Sequence, residues 1–283
     1  MGIQIVTDTS CDLPDCQLEQ FGIDIIPLKV CFDDRETFLD RVELSPDLFI
    51  KKMTSSRNLP KTSTPDPQTF IDFYENGLKK QGQVLFVGLS SGLSATCQTA
   101  RVACDMLGSE KVVIFDTLTA SLGTGIFAIK AALMAEQGMP LETIVDRLTA
   151  LRKETETIFT LDTLENVVKG GRLSRIEGFA GTMLDIKPIL RNDREKGVPY
   201  VKDKVRGRKK AMQRLIHMCE QDLGDDISQR WIGISYVGCE DDARRLAEKI
   251  EQKYQPINPV IVAPMSATIG TYAGVGGLMI NML

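Results

Sequence analysis

Hydroxyl side chains gather at three turns in the first half of this 283-residue chain: Asp8-Thr9-Ser10, Ser90-Ser91-Gly92-Leu93-Ser94 and Asp116-Thr117-Leu118-Thr119. Each follows an apolar run that reads as a buried strand (Ile3 to Thr7, Val84 to Gly88, Val112 to Phe115) and opens into helical periodicity. Small hydroxyls beside the free amides of helix starts suit an anion, so the chemistry on offer is recognition of a small acidic group. The loop Lys61-Thr62-Ser63-Thr64-Pro65-Asp66-Pro67 adds three hydroxyls. It is longer than capping a helix requires, although capping accounts for each hydroxyl singly. Gly170-Gly171-Arg172-Leu173-Ser174 supplies a guanidinium on freely bending backbone, able to meet a carboxylate or phosphate with two parallel hydrogen bonds. A structural ion pair is the plainer role for Arg172. Arg206 opens the basic run Arg206-Gly207-Arg208-Lys209-Lys210 and is a candidate second cation, though such runs usually face water.

Machinery for covalent chemistry is harder to find. The one histidine, His217, lies beside the apolar face set by Met212, Leu215, Ile216 and Cys219, which turns it away from the core. Gly88-Leu89-Ser90-Ser91-Gly92 has nucleophile-elbow spacing but no histidine partner in sight. Neither a GxxxxGK[ST] phosphate loop nor a CxxC pair occurs, and the seven scattered cysteines read as reduced thiols. The net charge of −4 gives no global field for nucleic acid or an acidic membrane. The longest apolar stretch, Ile126 to Ala135, is interrupted by Lys130 and is too short to span a bilayer. With no secretory signal legible at the N-terminus, the expected compartment is the cytoplasm.

The elements that must position these groups alternate as strand and helix from Ile3 to about 160. Ile25 to Phe32 reads as one strand carrying Pro27, Ser45-Pro46 as a helix start, 68–80 as an amphipathic helix, and about 120–137 as a long helix ended by Gly138. This predicts an N-terminal α/β domain, residues 1–160, with a mostly parallel sheet, whose strand ends open onto one crevice. Beyond it, Ile186 to Arg191 and Val198 to Val205 form a hairpin joined at Asn192 to Gly197, followed by a helix from Arg206 to Gln221. Strands Trp231 to Val237 and Pro259 to Ala263, a helix between them and a final apolar strand complete a C-terminal α+β domain, residues 161–283, with a mixed or antiparallel sheet.

Taken in order, Asp8-Thr9-Ser10-Cys11-Asp12-Leu13-Pro14, Thr62-Ser63-Thr64-Pro65, Ser90 to Thr96, Gly170 to Ser174, Ile186-Lys187-Pro188-Ile189 and Gly270-Thr271-Tyr272-Ala273-Gly274 resemble the motif set of the DegV family, the bacterial fatty-acid-binding proteins. Each motif alone is weak; the set covers essentially the whole chain. The resemblance implies a carrier, not an enzyme, with a long-chain fatty acid buried between the two domains and no cofactor. It further implies a separate fatty acid kinase as partner, which phosphorylates the carboxylate with ATP to give an acyl phosphate for phospholipid synthesis. Carried over by motif, Thr62 and Ser94 hydrogen-bond the carboxylate with Ser63 nearby, and Arg172 and Arg206 sit close to the head group. Phe179, Met183, Leu184 and Ile186 are candidates for lining the acyl tunnel. The chain departs from the family pattern at Tyr272, where histidine is usual, and at Ala95, where glycine is usual. A phenol can donate to a carboxylate but does not become cationic near neutral pH. The site then holds its acid through hydroxyls alone, or the ligand or its hand-off has changed.

Two other classes of function stay open on the sequence. One is an enzyme, a phosphotransferase or hydrolase acting on a small acidic substrate at the same crevice through Asp8, Asp116 and the hydroxyl turns. The other is a regulatory module whose ligand is only structural.

Overall fold

The computed structural model describes residues 2–173 and 185–283. Gly2–Asp8 forms β1 and ends in a tight turn, because Asp8 accepts a hydrogen bond from Ser10 N at 2.9 Å. A short helix, α1 (Asp15–Gln20), leads to β2 (Asp24–Ile26), which pairs parallel to β1. The expected single strand over 25–32 is broken at Pro27-Leu28. Proline has no N–H to give a ladder, and β3 (Lys29–Phe32) leaves for a separate three-stranded sheet with β4 (Glu36–Leu39) and β5 (Lys61–Ser63). Between those strands runs α2 (Pro46–Ser55), capped as its Ser-Pro start predicts by Ser45, which accepts from Leu48 N.

Then follow α3 (Pro67–Gln81), β6 (Gly82–Gly88), α4 (Thr96–Leu107) and β7 (Val112–Asp116). The first sheet is wholly parallel, in the order β2-β1-β6-β7. The next helix, α5 (Leu122–Glu136), is buried along nearly its whole length, as its apolar composition on every side demands. It is followed by α6 (Leu141–Arg152).

The second sheet begins with β8 (Glu156–Thr160), continues after α7 (Glu165–Lys169) with the hairpin β9 (Ile186–Asn192) and β10 (Pro199–Arg206), and receives β11 (Ile232–Tyr236) after α8 (Arg208–Leu223). The chain closes with α9 (Glu240–Tyr254), β12 (Ile261–Pro264), α10 (Ala267–Ala273) and β13 (Leu278–Met282). Strand order is β10-β9-β8-β13-β11-β12. Only β11 and β12 run parallel among these pairs, so the sheet is mixed. The fold is therefore α/β, with a parallel sheet in the first part and a mixed sheet in the second.

The sheets change over between α6 and β8, ahead of the boundary expected after residue 160. All five residues of β8 are buried between β9 and β13, so this strand belongs with the second sheet. The helix α5 joins the halves. It packs on β1 from the first sheet and on β11 from the second, where Gly233 lies so close to Leu122 that any side chain would collide. A further core cluster also crosses the halves, uniting Leu89 and Ala120 with Phe159, Leu161, Leu164 and Met279.

Candidate functional site

Within that shared cluster lies a largely apolar pocket. Its apolar wall is drawn from both halves: Leu89, Leu93 and Ala120 from the first, and Phe159, Leu161, Val167, Ile269, Ala273 and Met279 from the second. Thr62, Ser94, Arg172, Thr268 and Tyr272 supply polar atoms.

These polar groups form connected pairs. Thr62 Oγ1 and the Tyr272 hydroxyl are 2.6 Å apart, joining β5 to α10 across 210 residues of sequence. Strand alternation accounts for the choice of hydroxyl on β5, since Thr62 turns inward while its neighbour Ser63 is exposed. The Arg172 guanidinium lies over the Tyr272 ring, 4.6 Å from its centroid, and donates to Leu93 O at 3.2 Å and Gly170 O at 2.6 Å. Ser94 Oγ meets Thr96 Oγ1 at 2.8 Å, and Thr96 Oγ1 meets Thr64 Oγ1 at 3.2 Å. The result is an apolar pocket with, among the described residues, a patch of hydroxyls and the Arg172 guanidinium in its wall.

Buried carboxylates hold the wall in place. Asp40 accepts from Ala267 N at 3.0 Å, Thr268 N at 2.9 Å and Thr268 Oγ1 at 2.6 Å, and so anchors the start of α10. Asp12 accepts from Ser266 N at 2.8 Å and from Ser121 Oγ. Burial pushes the carboxyls of Asp8 and Asp40 above the ordinary range and Asp12 up to about 7; hydrogen bonds pull the other way at all three, and nearby Arg41 does so at Asp12 and Asp40.

The expected site residues divide. Thr62, Ser94, Arg172 and Tyr272 meet in one cavity wall. Ser63 and Arg206 are exposed and do not belong to it; Arg206 is the last residue of β10, paired with Ile186, which is also outside the wall. The tunnel candidates Phe179, Met183 and Leu184, with Ser174, lie outside the described residues. The hydroxyls of the 90–94 turn separate as well. Ser94 faces the cavity, but Ser90 donates to Gly197 O at 2.7 Å, tying the turn to the tip of the β9–β10 hairpin. Gly197 has φ +65°, and a Cβ there would strike Ser90 Oγ. Asp8 and Asp116, the acids an enzyme would use, are occupied by backbone amides: Ser10 N and Leu89 N for Asp8, Ser91 N and Leu118 N for Asp116. His217 is on the exposed side of α8, 3.7 Å from Glu220.

Sequence reasoning missed Thr268 and the anchor Asp40. Thr96 stood within the Ser90 to Thr96 motif and was legible there; Asp40 meets α10 more than 220 residues away and left no local signal. Among the described residues, no group of three or more His, Cys, Asp or Glu could hold a metal ion, and no helix is long and apolar enough to cross a membrane.

A parallel sheet and a mixed sheet sharing one buried helix, with a small third sheet beside them and an amphipathic pocket lined from both halves, define an α/β protein. The chain belongs to the DegV family: the model of that family, described as an uncharacterised protein, matches residues 2–282. The chain is 32% identical over 279 residues to Protein DegV of Bacillus subtilis, covering 98% of both chains. It is also similar to two solved structures. One, with TM-score 0.91 and 28% identity over 100% of this chain and 99% of the other, reports fatty acid binding of a DegV family protein from Thermus thermophilus. The other, with TM-score 0.86 and 31% identity over 100% and 99%, is DegV, a fatty acid binding protein from Bacillus subtilis.

Proposed function

We propose that this protein is a carrier that binds a long-chain fatty acid between its two halves and presents the carboxylate to a separate fatty acid kinase. The observation that carries this proposal is the meeting of Thr62, Tyr272, Ser94 and Arg172 in one wall of an otherwise apolar cavity. Removing an acyl chain from water contributes about 0.8 kcal/mol per methylene, which makes the chain the main source of affinity. A buried carboxylate without partners is costly, so the polar wall has to satisfy it. Two hydroxyls 2.6 Å apart can both turn their protons to an incoming carboxylate, and the guanidinium supplies the opposite charge. Ser63 and Arg206 lie outside that first set of contacts.

The four-residue wall recognises an acid without carrying out chemistry on it. Activation of the acid is therefore assigned to the partner, and cytoplasmic residence follows from that role. The discriminating assay mixes purified protein, ATP and a long-chain fatty acid with and without an added fatty acid kinase. Acyl phosphate forming only with the kinase is the expected result. Turnover by this protein alone would instead make it an enzyme.

A further inference from the structure

Arg172 occupies an unusual position for a fixed cation. It follows Gly170 and Gly171, the latter at φ +73°, on backbone that does little to restrain a long side chain. Among the described residues it has no carboxylate partner within ion-pair distance; its hydrogen bonds go to the neutral carbonyls of Leu93 and Gly170. The remaining restraint is the face of Tyr272, whose negative π density lies 4.6 Å from the guanidinium carbon.

Tyr272 is itself held from several sides. A Cβ on Gly170 would come within 2.4 Å of ring atom Cδ1 and 2.5 Å of Cε1, so only glycine lets the backbone approach this closely. Asn166 Nδ2 donates to Thr271 O at 3.1 Å, fastening α7 to α10, and Asp40 secures the other end of α10. At its tip the phenol meets Thr62.

We propose that Tyr272 is a positioning residue as well as a hydroxyl donor: its ring fixes the Arg172 guanidinium in the cavity wall, so that this cation reaches the ligand's carboxylate through an aromatic support. This rests on the fatty acid carrier role. The ring and the hydroxyl are separable by mutation. Tyr272→Phe keeps the support and loses the donor, whereas Tyr272→Leu loses both.

Binding of cis-parinaric acid, a fluorescent long-chain fatty acid, is titrated with the full chain carrying Arg172→Gln in three backgrounds. With wild-type Tyr272, Arg172→Gln weakens binding about tenfold, the scale of a hydrogen-bonded charge pair. The same factor is expected with Tyr272→Phe, which tests rescue by the ring alone. With Tyr272→Leu the factor falls to about twofold or less, because the unsupported guanidinium no longer contributes. An equal factor in the Leu background would overturn the proposal. A second measurement needs no ligand: the Arg172 Nε–Hε resonance is shifted by the ring current in the wild type and in Tyr272→Phe, and not in Tyr272→Leu. An unshifted wild-type resonance also overturns the proposal. A shifted resonance in a protein that binds no fatty acid supports the positioning role and rejects the carrier role alone.

Discussion

Thr62 and Ser94 reach the cavity from different elements, one from a strand of the small sheet and the other from the turn after β6. Neither is charged, so on the proposed role each would contribute a hydrogen bond whose net value is about 1 kcal/mol, rising when the acceptor is ionised. The double variant Thr62→Ala with Ser94→Ala should weaken fatty acid binding by about tenfold or more while leaving the unfolding midpoint nearly unchanged. Titration against a fluorescent fatty acid checks this, and unchanged affinity removes both residues from the site. Gly170 gives the reverse test. An alanine Cβ would collide with the Tyr272 ring, so Gly170→Ala should displace that ring or its helix at a cost of about 1–3 kcal/mol, seen as a lower unfolding midpoint together with weaker binding. At this scale the sequence was informative where a motif gathered hydroxyls or a cation: Thr62, Ser94 and Arg172 were marked by residue type, whereas Tyr272 drew notice as a departure from the family pattern. Residue type alone did not separate Ser63 from Thr62 in a run of three hydroxyls; the resemblance ranked Thr62 first, and strand alternation, which turns Thr62 inward, supplies a physical reason.

α10 is the element on which the site depends. It carries Thr268, Ile269, Tyr272 and Ala273 into the cavity wall, although it spans only Ala267–Ala273. A helix of that length is not stable by itself and needs tertiary support at its ends. Asp40 provides this by taking up two amides and a hydroxyl of the first turn. Asp40→Ala should destabilise the fold by about 1–3 kcal/mol by leaving those donors unpaired, and should reduce binding further by loosening α10. Denaturant unfolding and ligand titration on one preparation measure both effects, and a variant with full stability and affinity would show that the anchor is dispensable. The elements themselves were largely legible, because apolar periodicity and caps such as Ser45 act locally. What escaped was set by distant partners. The strand read across Pro27 splits because its two halves join different sheets, and β8 falls in the second sheet because β9 and β13 claim it. Nothing near Asp40 in sequence indicates the helix start it secures.

On the scale of the whole molecule, the two halves meet through polar groups as well as through α5. Ser121 Oγ bonds both to Asp12 and to Ser235 Oγ, and Thr157 links Thr119 to Asn281, so hydroxyls stitch the first part to the second sheet. Asp12 makes this seam sensitive to pH. Its carboxyl is raised from 3.8 to about 7 by burial, so the folded protein holds a proton that the unfolded chain has released. A group raised in this way adds stability below its unfolded value and loses that contribution as pH climbs through the folded one. Relative to Asp12→Asn, wild-type stability should therefore decline from about pH 4 to about pH 7. Denaturant unfolding of both proteins across that range measures the difference, and a pH-independent difference would contradict the raised Asp12 carboxyl.

The carrier account requires that a long-chain fatty acid occupy the cavity in the protein as cells make it. Native mass spectrometry of the gently purified protein, followed by solvent extraction and identification of the released lipid, tests this most directly. The account predicts close to one long-chain fatty acid per chain, lost from the variant in which Thr62, Ser94 and Arg172 are all replaced by alanine. A protein that carries no fatty acid and takes up none when it is supplied would contradict it.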